Sequence, residues 1–345
     1  MSGGVDSSVA AYLMLKSGFD CIGGTMRLCD SALSGREPSD VTDAQAVAHR
    51  LGIPFHIFER SSQFREKVVD DFVHCYETGG TPNPCVSCNR HLKFDTLLQD
   101  ALALGCEYIA TGHYARIEKS PDTERYLLYK ALDETKDQSY FLACLNQHQL
   151  SHAKFPLGEL TKEQVRTIAL EQNFSNAHKK DSQDICFIPD GDYVAFIRRY
   201  TGKEYPTGNY VDLNGNILGT HQGAICYTIG QRKGLGIALG APAYVCSKDM
   251  RHNTVTLGAN EDLFHGKLRA NNWNWIPFPQ LSEPIRITAK IRYRHIPQPA
   301  TVYPEENGFA RVEFDQPQRA ITPGQTVVLY DGDLVVGGGS ITEVL

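Results

Sequence analysis

After a short run of small residues, apolar positions recur at Val5, Val9 and Leu13, joined by Ala10 and Met14 and stopped at Gly18. That spacing gives a helix one apolar face and a glycine terminator. Apolar stretches then alternate with helical periods: Asp20 to Leu28, Pro54 to Glu59 and Glu107 to Gly112 read as strands, and Val41 to Leu51, Gln63 to Tyr76 and Asn89 to Leu104 as helices. Strands and helices alternating at this pitch predict a doubly wound α/β domain over residues 1–201. Past about Tyr200 the period shortens to two. Asn209 to Leu218, Ala243 to Ser247, Thr254 to Leu257, Ile285 to Tyr293, Ala300 to Tyr303, Ala310 to Phe314 and Thr326 to Tyr330 are short, β-branched or alternating, and separated by Gly, Asn, Asp and Pro turns. They predict two small β-rich domains, 202–269 and 270–345, divided near Ala270 by the charged stretch Glu261 to Arg269.

A length of 345 residues agrees with two or three domains. No apolar run approaches the roughly 18 residues of a membrane span and no signal-like segment opens the chain, so a cytoplasmic location without membrane partners is expected. The net charge of −6 argues against a protein that coats nucleic acid by bulk charge. Residues 202–345 are balanced, with 13 basic and 13 acidic side chains, so any RNA surface is local. Ten cysteines in a chain with no secretory features read as core, metal or catalytic thiols rather than a disulfide framework.

Two places carry candidate chemistry. Ser2-Gly3-Gly4-Val5-Asp6-Ser7-Ser8 sets glycines and hydroxyls just before a helix, where free amides and the helix dipole favour a phosphate. It lacks the Gly-Lys-Ser/Thr ending of a Walker loop, which argues against a kinase or GTPase, and the same residues also make an ordinary turn and helix cap. The second place is Cys85-Val86-Ser87-Cys88 at the head of the helix from Asn89. A helix N-terminus lowers a thiol pKa, so thiol chemistry, metal ligation and plain structure all stay open there. A lone Cys186 in Ile185-Cys186-Phe187-Ile188 reads, by itself, as core.

Ser2 to Ser8 resembles the signature of the PP-loop ATP pyrophosphatases. Gly80-Thr81-Pro82-Asn83-Pro84, Cys88-Asn89, Lys93-Phe94 and Ser182-Gln183-Asp184-Ile185-Cys186-Phe187-Ile188 resemble the bacterial tRNA-specific 2-thiouridylases, the MnmA (TrmU) family. Ala110-Thr111-Gly112-His113-Tyr114, Lys136 to Leu142, Phe155 to Gly158, His221-Gln222-Gly223, Thr228 to Gly236, Lys290 to Arg294 and Thr322 to Gln325 extend the resemblance over nearly the whole chain. In the family a strand precedes the phosphate loop, whereas this sequence opens one residue before it.

The resemblance implies an adenine nucleotide α-hydrolase-like domain followed by two β-rich domains, the last a β-barrel. It implies ATP-dependent thiolation of the wobble uridine of tRNA for Lys, Glu and Gln, with Mg2+. Ser2, Gly3, Gly4, Val5, Asp6, Ser7 and Ser8 would hold the phosphates, and Met26 and Gly112 would border the adenosine. Cys186 would take a persulfide from a cysteine desulfurase or sulfur-relay protein, and Cys88 would then form a disulfide with it, which needs Cα atoms within about 7 Å. Where some family members carry Asp this chain has Cys85, which leaves a second scheme open, in which Cys85, Cys88 and Cys186 hold an iron–sulfur cluster. Asn83, Pro84, Cys85 and His113 would meet the flipped base, and Lys136, Asp137, Gln138, Arg292, Tyr293 and Gln325 the tRNA around it. A PP-loop enzyme for a small molecule and a non-catalytic metal-binding RNA module are the rival readings. The first would need no paired thiols, and retained ATP cleavage would exclude the second.

Overall fold

The computed structural model describes residues 1–29, 39–179 and 185–345. Residues 180–184, which include Ser182 to Asp184 of the Cys186 motif, lie outside them. The N-terminal part runs α1 (Val5–Lys16), β1 (Gly23–Arg27), α2 (Ser39–Leu51), β2 (Phe55–Glu59), α3 (61–77), α4 (84–103), β3 (Ile109–Ala110), β4 (Ala115–Lys119) and β5 (Tyr126–Lys130). It continues with α5 (Ser139–Leu142), α6 (Gln147–Ser151), β6 (Ala153–Lys154), α7 (Lys162–Glu171) and α8 (Tyr193–Thr201). Both α3 and α4 contain π-helical stretches, Arg65–Val69 and Asn89–Thr96. Helices α6 and α7 start on reciprocal capping boxes, Asn146 with Gln149 and Thr161 with Gln164.

Parallel pairing joins β1 to β2 and β3 to β6, as an α/β domain requires. The strands are shorter than the sequence pattern suggests. The expected strand Glu107 to Gly112 ends at Ala110, because Gly112 passes under the first turn of α1. Expected Asp20 to Leu28 pairs only over Gly23–Arg27, with Gly23 pressed against Phe55 and Ala48. The amino group of Met1 donates to the Gly24 carbonyl of β1. Four buried faces, from α1 (Val5, Val9, Ala10), α2 (Val47), α7 (Val165, Ala169) and Tyr114, share one core.

The central part is a four-stranded sheet ordered β8 (Ile217–His221), β7 (Gly208–Val211), β10 (Thr254–Gly258), β9 (Tyr244–Asp249). The expected single strand Asn209 to Leu218 is thus a hairpin, turned at Asp212, whose carboxylate accepts from the amides of Asn214 and Asn216. The last part is a barrel of β11 (Phe264–Trp275), β12 (Ile285–Lys290), β13 (Gln298–Pro304), β14 (Ala310–Arg319), β15 (Thr326–Asp331) and β16 (Leu334–Val344), closed by pairing of β11 with β16. Period-two burial fills it: Ala300 and Val302 on β13 face Val312 and Phe314 on β14, with Val327 and Leu329 from β15. Each fully buried Val or Leu contributes about 1.5–3 kcal/mol.

The charged stretch expected to divide the β-rich domains near Ala270 instead enters the long strand β11, which runs unbroken through it. The β4–β5 hairpin, unforeseen in the sequence, pairs with β16 at Tyr129 and Leu128, so the barrel sheet continues into the N-terminal part. Gly338 on β16 makes room for this approach, since a Cβ there would lie 3.0 Å from that of Ala143. Among the described residues no helix is long and apolar enough to cross a membrane.

Candidate functional site

The phosphate loop is a constructed cradle. Gly3 has φ +68, a conformation that only glycine adopts without strain. The Asn176 amide donates to Gly3 O at 3.0 Å and to Ser8 Oγ at 2.9 Å, while Ser7 and Ser8 hydroxyls both donate to Gly4 O at 3.0 Å. Asp6 points away from the loop, taking hydrogen bonds from Lys162 Nζ at 2.6 Å and Tyr114 OH at 3.0 Å. Lys179 reaches Gly3 O at 3.4 Å and pairs with Asp43 at 2.8 Å. With Gly4 as cap and no side chain capping α1, the first-turn amides face outward as donors. This donor set fits a polyphosphate. Gly112 locks the loop from behind, and Met26 stands on the neighbouring strand β1.

The thiol group lies on α4 and the segment before α8, packed by α3. Sequence reasoning put the Cys-x-x-Cys just ahead of a helix and expected depressed thiol pKa values. The helix instead begins at Pro84, so Cys85 and Cys88 are within it, and burial pushes both thiols up rather than down. Desolvation outweighs the helix terminus. Cys88 is 8% exposed in a core with Phe64, Phe72 and Leu92, on which Cys29 and Ile185 also pack. Phe187 anchors the chain next to Cys186, with its ring edge-on to Phe64 (5.5 Å) and Phe72 (5.2 Å). The Cys186 and Cys85 side chains keep an open surface, yet protein surrounds them closely enough to push Cys186 up to about 12. Its electrostatic neighbours are Cys88, Cys29, Cys85 and Lys93. None of the ten cysteines is in a disulfide.

Lys93 ties the two halves together. It acts on Cys85, Cys88 and Cys186, on His113, and on the amino group of Met1 beside the loop. His113 is packed by Phe94 (5.8 Å) and Phe155 (5.9 Å), its Nδ1 is 2.7 Å from Thr111 Oγ1, and burial holds it neutral, well below the usual histidine range. Below the unfolded pKa of about 6.5, the unfolded chain takes up a proton that folded His113 refuses. Stability at neutral pH is therefore expected to fall by about 1.4 kcal/mol per pH unit for this group as pH drops below that value. His91, His221 and His295 are lowered too and add to the slope. Urea titrations at pH 7.0 and about 5.5 should show a shallower loss in His113→Gln; an unchanged loss would contradict a neutral, buried ring.

Next to the thiols, the loop at Gly80 to Asn83 is pinned to the barrel. Gln325 Nε2 donates to Thr81 O (3.0 Å) and Pro82 O (3.1 Å), and Thr81 N donates to Pro323 O. Tyr140 OH donates to Thr326 O at 2.8 Å and also meets the Asn83 side chain. Gln325 thus holds the loop carrying Asn83, Pro84 and Cys85 instead of facing outward. Asp137 is likewise turned inward, accepting from Ala131 N, Ser139 N and Ser139 Oγ. Gln138 Oε1 accepts from Tyr114 N, and Lys136 stays at the half-exposed edge.

The expected strand through Tyr293 stops at Lys290, and residues 291–295 turn back over the N-terminal part. Tyr293 lies 4.4 Å from the Phe141 ring, and Lys290 Nζ sits 5.8 Å from the Tyr293 ring. Arg292 and Arg319 lie close enough to repel, and the Arg292 guanidinium donates to Arg319 O. Beside Asn83 a cleft of about 210 Å³ opens between α4 and the barrel, lined by Asn83, Ser87, Arg90, His91, Thr326 and Ser340. A wider hollow of about 450 Å³ under the turn 232–243 touches none of the candidate residues.

Sequence reasoning missed Asn176, Lys162, Tyr114 and Cys29, and gave Lys93 no role. Their signal is tertiary: Asp6 meets Tyr114 and Lys162 from 108 and 156 positions away. No group of three or more His, Cys, Asp or Glu among the described residues is arranged to hold a metal ion. Cys85, Cys88 and Cys186 lie within electrostatic reach of one another but do not stand as such a group.

Comparison with known proteins adds three matches in chain order. The tRNA methyl transferase HUP domain matches residues 1–190, the tRNA methyl transferase PRC-barrel domain 194–259, and the aminomethyltransferase beta-barrel domain 265–341. The chain is 48% identical to the tRNA-specific 2-thiouridylase MnmA of Clostridioides difficile, covering 100% of this chain and 97% of that protein. It is 49% identical to the protein of the same name from Acetivibrio thermocellus, over 99% and 97%.

Proposed function

The chain belongs to the tRNA-specific 2-thiouridylase family, and from that premise we propose that it uses ATP to replace the C2 oxygen of the tRNA wobble uridine with sulfur. The observation that carries this reading is that one chain joins a phosphate cradle held by Asn176, Ser7 and Ser8 to the free thiols of Cys85, Cys88 and Cys186. Phosphate cradle and sulfur nucleophiles then serve one reaction.

ATP is a substrate. Loop residues Ser2 to Ser8 bind its phosphates, and Met26 and Gly112 border the adenosine. Mg2+ fits as the counter-ion of the bound phosphates, as such sites commonly hold it. The uracil C2 oxygen attacks the α-phosphorus, pyrophosphate leaves, and C2 acquires a good leaving group. A persulfide on Cys186, loaded by a cysteine desulfurase or a sulfur-relay protein, attacks C2 through its outer sulfur, and AMP departs. The Cys88 thiolate then attacks Cys186 Sγ. The uridine keeps the outer sulfur, a Cys88–Cys186 disulfide forms, and an external thiol reduces it.

The base itself must leave the anticodon stack. Asn83, Pro84 and Cys85 on the pinned loop receive it, neutral His113 lies beside it, and Lys136, Arg292 and Tyr293 line the tRNA approach. Arg292 beside Arg319 suits a phosphate, since each guanidinium raises the other's need for an anion. Asp137, Gln138 and Gln325 act by holding these elements. A methyl-transfer reading, which the domain descriptions suggest, leaves the paired thiols without a task. Incubation with ATP and unmodified tRNA should yield AMP and pyrophosphate in amounts that depend on the tRNA. ADP and phosphate as products would overturn the reading.

A further inference from the structure

Among the described residues Lys93 bears on the three thiols, on His113 and on the amino group of Met1, and the proposed reaction leaves it without a task. Its position depends on a local departure from α-helix geometry. In an α-helix, residues five apart point roughly 140° away from each other. From Asn89 to Thr96 the helix is π, whose i→i+5 bonding brings residue 93 over residue 88. The buried side chains on either side, Leu92 and Phe94, fix the orientation of this turn. Lys93 itself is half-buried, and among the described residues no carboxylate pairs with it. A half-buried ammonium is stabilised by an anion that forms next to it in use. The neighbours able to become anions are Cys85, Cys88 and Cys186.

We propose that Lys93 is a positioning residue for sulfur transfer, its ammonium stabilising the sulfur anion first on the Cys186 persulfide and then on Cys88. This inference rests on the proposed thiolation for its purpose, and on the π-turn and the thiol cluster for its geometry. The thiol proton passes to water in each ionisation, and Lys93 keeps its own. Unlike a bound metal, a lysine at this place stabilises the sulfur anion without capturing it. The π-turn is thereby given a function, since an α-helical residue 93 would point elsewhere.

The test uses the full chain and two alkylating reagents of similar size, anionic iodoacetate and neutral iodoacetamide, with modification of Cys186 and Cys85 followed by peptide mass spectrometry. A positive charge within electrostatic reach favours the anionic reagent. In Lys93→Met the iodoacetate-to-iodoacetamide rate ratio is expected to fall about fivefold, the effect of roughly 1 kcal/mol of charge interaction. Lys93→Arg should restore the ratio, and a merely structural role would slow both reagents alike. In thiolation assays Lys93→Met should lower kcat with little change in the KM for tRNA. A ratio unchanged in Lys93→Met overturns the inference, as does a ratio that Lys93→Arg fails to restore. Should Lys93→Met not fold, Lys93→Gln replaces it in the same comparison. Absence of any thiolation by the unaltered chain would defeat the proposed function instead, because the alkylation ratio needs neither tRNA nor ATP.

Discussion

Replacing Cys186 by serine is expected to stop sulfur transfer while ATP cleavage persists. Serine is close to isosteric with cysteine, so Phe187 should still anchor the segment between Phe64 and Phe72. A hydroxyl cannot carry a persulfide, however, and no other group in the derived sequence hands sulfur to C2. Thiouridine formation should drop by about 10³-fold or more, the scale of losing a covalent nucleophile. The tRNA-dependent release of pyrophosphate should stay within about threefold, because the phosphate loop is formed by other residues. Cys246→Ser is the matched control: that thiol lies on β9 of the central sheet, 3.5 Å from Tyr244 O, and has no part in the site. Equal thiouridine from Cys186→Ser and Cys246→Ser would remove Cys186 from the reaction.

Gly112→Ala carries the second large effect, this time on ATP. A Cβ at Gly112 would sit 2.6 Å from the Asp6 carbonyl carbon and 2.7 Å from the Ser7 amide nitrogen, both backbone atoms of the first turn of α1. Backbone cannot swing aside as a flexible side chain does. Either α1 or the Thr111–His113 turn must move, with a strain of about 1–3 kcal/mol. Because the displaced amides are those expected to hold phosphate, ATP affinity should fall about 10- to 100-fold. Gly266→Ala, where a Cβ meets nothing within 4 Å, should leave it unchanged. Calorimetric titration with ATP, alongside a thermal melt to confirm folding, checks both. Wild-type affinity in a folded Gly112→Ala protein would exclude Gly112 as the rear support of the loop.

These two residues show what kind of information the sequence held. Ser2 to Ser8 could be recognised because an anion cradle is local: glycines, hydroxyls and the start of a helix within seven positions. The period-two pattern likewise revealed the barrel strands, since alternate burial at Ala310, Val312 and Phe314 is written directly in residue type. Strand β16 was harder to see, for Gly337, Gly338 and Gly339 weaken any strand signal locally. Those glycines answer to distant groups that press on them, Asn274 on Gly337, Ala143 on Gly338 and Trp273 on Gly339. The thiol pKa values were read in the wrong direction for a similar reason. A helix N-terminus can be inferred from Pro84, but the desolvation that outweighs it comes from residues brought in by α3 and by the segment after residue 184. Asp137 and Gln325, expected to meet the tRNA, are turned inward by partners that the sequence does not show, Ser139 and the Thr81–Pro82 carbonyls. The π-turn that brings Lys93 over Cys88 has no sequence signature at all.

The central claim is that sulfur passes from Cys186 to the wobble uridine with Cys88 closing the cycle. A single turnover tests it most directly: the chain, loaded with persulfide and freed of reductant, is mixed with ATP and unmodified tRNA, and both products are weighed by mass spectrometry. One 2-thiouridine at the wobble position and one Cys88–Cys186 disulfide should appear together in equal amounts. Thiouridine formed without that disulfide, and formed equally well by Cys88→Ser, would contradict the account.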